Sequence, residues 1–231
     1  MEEAERIIRV NLLGQIADTK AILPHFIDQG YDTIINVSSN LAVRSVPLLA
    51  IYCATKHGIK GFTESLRMEL QRDHPGIKVT LVMPASINTP FFAHSRSKLG
   101  VFPRPIPPVY EPGAAGRAIL HAAEHLQRDI FVGGVGQLMG VLEAFVPSLL
   151  DWYMVRGGTM FKAHMTDQPD DEKDDLFQPE TGTGSTTGQF GAMSKSTSLY
   201  RGYVDFHPTR EHLLGAAATL GLLALVRRAG R

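Results

Sequence analysis

Tyr52 and Lys56 stand four residues apart in the run Tyr52-Cys53-Ala54-Thr55-Lys56. On a helix that spacing sets a phenol and an ammonium on one face, one turn apart. A phenol with an ordinary pKa of about 10 exchanges protons poorly at neutral pH, and a neighbouring cation favours phenolate and lowers that value. Tyr52 is therefore expected to give a proton to a carbonyl oxygen, or to take one from an alcohol. Such a pair arises by chance about 0.2 times in a chain with this many tyrosines and lysines, so context has to decide. Ser38 and Ser39 end the run Ile35-Asn36-Val37-Ser38-Ser39, and Ser39 precedes Tyr52 by thirteen residues. A hydroxyl at the C-terminal end of a parallel strand lies where such sheets place their ligands. Ser38, one residue further away, reads as a strand-end hydroxyl satisfied by backbone. Asn11 falls in the middle of a helical pattern, where asparagine is neutral to unfavourable, which points to a tertiary task.

Two other patterns suggest different chemistry. His121-Ala122-Ala123-Glu124-His125 has the spacing of a zinc-peptidase helix, and its simpler reading is a solvated helix face. Gly133-Gly134-Val135-Gly136-Gln137-Leu138-Met139-Gly140 follows a strand and resembles a phosphate-cradling turn. A dinucleotide fingerprint also needs a second strand ending in an acidic residue. The apolar stretch over 138–160 offers none, so the glycines read as a turn into a packing helix. No metal site is expected.

The elements that must position these groups follow a strand–helix rhythm. Apolar residues from Ile7 to Ile22 predict a helix over 2–29, stopped by Gly30. β-branched runs predict buried parallel strands at 33–38 and 78–82, and a third at 129–132. Helices are expected over 51–71 and 114–127, and 84–112, with seven prolines, is expected to be loop. Strands alternating with helices imply a parallel sheet with right-handed crossovers.

The chain has 231 residues, 44% hydrophobic and 20% charged, with zero formal net charge. That balance suits a globular protein and gives no basic excess for nucleic acid. Cys53 is the single cysteine, so no internal disulfide can form, and a cytoplasmic setting is the default. The acidic start lacks the apolar stretch of a secretory signal.

Taken in order, Asn11-Leu12-Leu13-Gly14, Asn36-Val37-Ser38-Ser39, Tyr52-Cys53-Ala54-Thr55-Lys56 and Pro84-Ala85-Ser86-Ile87-Asn88-Thr89-Pro90 resemble the later half of a short-chain dehydrogenase/reductase. The resemblance covers about residues 3–135. It implies an α/β fold, a partial Rossmann-like doubly wound parallel sheet made of the last three strands, with a C-terminal extension. It implies carbonyl–alcohol interconversion with NAD or NADP, the two not being distinguished. Ser39 would hold the carbonyl, and Tyr52 would be the general acid/base. Lys56 would lower the Tyr52 pKa and bind the nicotinamide ribose, and Asn11 would anchor a relay water. Ile87 and Thr89, after Pro84, would lie against the carboxamide. The loop from Asn88 to Pro112, with Phe91, Phe92 and Phe102, suggests a small apolar substrate. Ala42 and Ala85 stand where the family usually has glycine.

Nothing ahead of Asn11 reads as the glycine-rich turn that receives a pyrophosphate. The strand at 33–38 is therefore expected to expose an apolar edge, which favours homo-oligomers. A catalytically silent remnant or interaction fragment is the rival reading of function. Beyond the domain over 1–165, a disordered polar linker is expected over 166–198 and an apolar segment over 199–231. The fourteen uncharged residues from Leu213 to Val226, followed by Arg227 and Arg228, suit either a helix docked on protein or a membrane-interfacial anchor.

Overall fold

The computed structural model describes residues 1–156, 159–171, 173–179 and 184–197. Helix α1 (Glu2–Ile8) passes through a π-helical turn, Arg9–Leu13, into α2 (Gly14–Gln29). Gly30 ends α2 at φ 85°, a left-handed conformation that glycine takes without a Cβ penalty. Strand β1 (Asp32–Val37), helix α3 (Ala50–Asp73) and strand β2 (Ile77–Pro84) follow. Next come β3 (Ser86–Ile87), α4 (Phe91–His94), β4 (Val101–Pro103) and β5 (Val109–Tyr110). Then α5 (Pro112–Glu124) leads to β6 (Asp129–Val132), α6 (Gly134–Phe145) and α7 (Pro147–Val155). Last are α8 (Thr159–Ala163), β7 (Met165–Pro169) and β8 (Ser194–Lys195).

The main sheet has the order β1-β2-β6, all parallel, with Asp32 opposite Ile77 and Leu81 opposite Asp129. Alternation along the strands explains its two covered faces. Ile34, Ile77 and Val79 meet Leu66 and Leu70 of α3 and Leu23 and Phe26 of α2, while Leu81 and Met83 meet Ile59. On the other face Ile35, Val82, Ile130 and Val132 meet Ala114, Ala118 and Ala122 of α5. The alanines let α5 approach closely. The architecture is thus α/β, with helices on both faces of a parallel sheet.

Two sequence expectations change. The proline-rich stretch 84–112 carries three short strands as well as loop. The polar stretch 166–198, expected as a disordered linker, returns to the body in its described residues. There β7 pairs antiparallel with β4, and β8 pairs parallel with β5 beside β3. Such pairing needs backbone N–H and C=O groups rather than apolar side chains, so a polar run can satisfy it. The segment 199–231 lies outside the described residues. Among the described residues no single helix is long and apolar enough to cross a membrane.

Candidate active site

The C-terminal end of β1 delivers Ser38 and Ser39 beside the first turns of α3. Ser38 Oγ donates to the Lys56 carbonyl at 2.8 Å, the backbone-satisfied role expected of it. Ser39 is buried, caps the short 3₁₀ turn Asn40–Ala42 by accepting from the Leu41 N–H at 3.1 Å, and its hydroxyl is near enough to the Tyr52 phenol to pull on its pKa. Lys56 Nζ lies 5.6 Å from the centroid of the Tyr52 ring. Ser39, Tyr52 and Lys56 are therefore brought together in one place.

The electrostatics differ from the expectation. Burial pushes the Tyr52 phenol above its ordinary value, outweighing the opposite pull of the nearby Ser39 hydroxyl. Lys56 does not reverse this, because its ammonium sits over the ring and is itself held below the usual lysine range by burial. Tyr52 thus rests as a neutral acid at neutral pH. A desolvated cation weakens the fold, so Lys56→Met is expected to raise the melting temperature at pH 7. The depressed lysine costs stability below its folded pKa, and the cost vanishes as pH rises to the unfolded value of 10.5. Calorimetry at pH 7 and at about pH 10 checks this: the gain should be larger at the lower pH, and a lower melting temperature at pH 7 contradicts it.

Asn11 lies in the π-helical turn, a feature frequent at functional sites. Its Nδ2 stands 3.5 Å from Thr55 Oγ1, a long contact, and Thr55 Oγ1 donates to the Tyr52 carbonyl at 2.7 Å. Asn11 is thus brought to the backbone of the Tyr52 turn. Pro84 closes β2 opposite Val132, and Ile87 pairs with Tyr110. Thr89 N–H donates to the Ile87 carbonyl at 2.9 Å.

Between them Asn88 is fully buried and ties three segments together. Its N–H donates to the Tyr110 carbonyl at 2.8 Å. Its carbonyl accepts from Gly188 N–H at 3.0 Å, and its Oδ1 accepts from Phe190 N–H at 2.9 Å. A Cβ on Gly188 would fall 2.4 Å from the Thr89 carbonyl oxygen, so this approach requires glycine.

An aromatic series runs outward from the site. Tyr52 and Phe91 have centroids 6.3 Å apart, Phe91 and Phe92 5.1 Å, and Phe92 and Phe190 5.9 Å. A cavity of 670 Å³ lies beside it, between Thr89, Phe92 and His94 and the returning Ser185, Thr187 and Phe190. Phe102 instead belongs to β4. Phe190 and the joining role of Asn88 were missed from sequence; a lone aromatic in a polar run, Gln189-Phe190-Gly191, was the one available signal. Cys53 is buried, and the His121 and His125 rings stack at 4.3 Å. Gly133, at φ 108°, turns β6 into α6, and among the described residues no strand follows α6 before β7.

Residues 1–100 match the family model of the short chain dehydrogenases. The chain is 30% identical over 227 residues to the uncharacterized oxidoreductase YxnA of Bacillus subtilis, across 97% of this chain and 62% of YxnA. It is 40% identical over 84 residues to human dehydrogenase/reductase SDR family member 7, across 36% of this chain and 24% of that protein. A crystal structure of a short chain dehydrogenase from Burkholderia cenocepacia, in complex with NADP, superposes with a TM-score of 0.54 at 26% identity. That match covers 66% of this chain and 59% of the other. The chain thus spans about three fifths of YxnA's length.

Proposed function

We propose that the chain, whose residues 1–100 match the family model of the short chain dehydrogenases, carries the catalytic half of an NAD(P)-dependent oxidoreductase interconverting a carbonyl and an alcohol. The observation that carries this reading is the meeting of Ser39, Tyr52 and Lys56 at the C-terminal end of β1. Lys56 is a half-buried cation with no carboxylate partner among the described residues, a donor suited to the hydroxyls of a ribose. When bound, the nicotinamide supplies or accepts the hydride. Ser39 holds the carbonyl oxygen beside the Tyr52 hydroxyl, and Tyr52 gives that oxygen its proton. In the reverse direction Tyr52, as phenolate, takes the alcohol proton. Asn11 anchors a water that returns protons to Tyr52. Pro84, Ile87 and Thr89 line the nicotinamide side, held in place through Asn88.

The aromatic series from Tyr52 to Phe190 favours a small apolar carbonyl compound or alcohol as substrate. Among the described residues β1 has no strand on its outer edge, which favours self-association. Mixing the chain with NADH or NADPH and a panel of apolar aldehydes and ketones tests the reading. The expected result is carbonyl-dependent loss of reduced-nicotinamide absorbance, with one dinucleotide preferred. A chain that neither binds dinucleotide nor turns over any of the panel is a silent remnant or an interaction fragment.

A further inference from the structure

We propose that α6 and α7 form a face that lies on the surface of a phospholipid bilayer. The two helices together have the length and composition of a membrane span, yet they bend by 118° at Val146. So bent, they suit the plane of an interface rather than a crossing. Leu138, Val141 and Phe145 recur at helical spacing on α6, and Leu149, Trp152 and Tyr153 on α7. Each of these six is at least half exposed.

The opposite side of the pair is already spent on the body. A Cβ on Gly136 would fall 2.1 Å from Asn40 Cγ, and one on Gly140 3.5 Å from Val43. Leu150 and Met154 are buried. The exposed apolar face is therefore surplus to the fold, and contiguous patches of this kind mark contact surfaces.

Charge selects the occupant. Within 134–155 the only ionisable acids are Glu143 and Asp151, and both are paired with Arg44. The pair thus opposes lipid phosphates with no unpaired carboxylate. The next charged residue is Arg156, whose guanidinium lies 5.2 Å from the Trp152 ring. Aromatic rings beside a cation at the margin of an apolar face are the side chains that occupy the headgroup region, ring in the boundary and charge in water. On its opposite side the pair packs against Asn40, next to Ser39, which ties it to the body beside the candidate site.

Trp152 is the only tryptophan in the chain and reports on the face directly. The experiment mixes the full chain with vesicles of phosphatidylcholine and phosphatidylserine. It reads Trp152 emission, quenching by brominated acyl chains, and co-sedimentation. The expected result is a blue shift, quenching by shallow bromines, and at least about a tenfold loss of vesicle binding in Leu138→Glu/Leu149→Glu. Both positions are exposed, and a melting temperature equal to wild type checks that variant's fold; the quenching measurement needs no variant. Unshifted emission with vesicles overturns the proposal, as does binding that survives both glutamates. A blue shift that grows with protein concentration without lipid overturns it in favour of a second copy. Emission already blue at every dilution overturns it in favour of the chain's own residues beyond 197.

Discussion

Tyr52→Phe is expected to lower kcat for carbonyl reduction by at least about a hundredfold, with dinucleotide affinity unchanged within about twofold. Proton transfer by a positioned side chain is worth about 10² to 10⁴ in rate, and phenylalanine removes only the hydroxyl that carries the proton. The ring keeps its contacts with Phe91 and with Lys56, so the fold gives no second cause for the loss. The pH dependence separates this role from a structural one. Alcohol oxidation needs the phenolate, which burial makes scarce, so its rate should climb through the alkaline range. The variant should lose that climb. A variant that keeps both wild-type kcat and the alkaline rise removes Tyr52 from the chemistry.

Arg67→Ala is expected to cost about 1 to 3 kcal/mol, the range for removing a charged group that serves part-buried acceptors. That corresponds to roughly 2 to 12 °C in melting temperature for a chain of this size. The Arg67 side chain is 11% exposed and serves three acceptors at once. Its Nε donates to the Val79 carbonyl at 2.8 Å, and its Nη2 donates to the Arg128 carbonyl at 2.6 Å and to Asp129 Oδ1 at 2.9 Å. The one side chain therefore joins α3 to β2 and to the start of β6. Lysine at 67 offers no fork and should recover less than half of the loss. Asp129→Asn should cost less than the alanine variant, since both carbonyl contacts survive. Chemical denaturation of the three variants decides the matter, and a loss below about 1 kcal/mol for Arg67→Ala refutes the account.

The three main strands were legible because a strand buried on both faces must be a short apolar run, and 33–38, 78–82 and 129–132 are such runs. Gly30 and Pro84 marked their neighbours' ends for stated backbone reasons. The meeting of Ser39, Tyr52 and Lys56 was legible because they lie on adjoining elements, where spacing along the chain translates into distance. The smaller strands were not legible. Ser86–Ile87 and Ser194–Lys195 are two residues long, too short for any period, and the pairing of Ser194–Lys195 depends on a return over about 85 residues. Asn88 and Phe190 were hidden for the same reason. The direction of the Tyr52 shift was misjudged because sequence gives the neighbour but not the burial, and burial is the larger influence.

The order in which the strands pair has a consequence during synthesis. β1, β2 and β6 are complete once residue 132 has emerged from the ribosome, and their parallel core can close then. β7 and β8 reach β4 and β5 only about 30 and 60 residues later. At about 5 to 20 residues per second, the nascent chain spends roughly 3 to 12 seconds with β5 lacking its last partner and Asn88 lacking Gly188 and Phe190. Throughout that interval the edge of β5 stands open to any extended peptide at hand, so a pause in translation between residues 132 and 195 lengthens the period in which a chaperone has an open strand to cover.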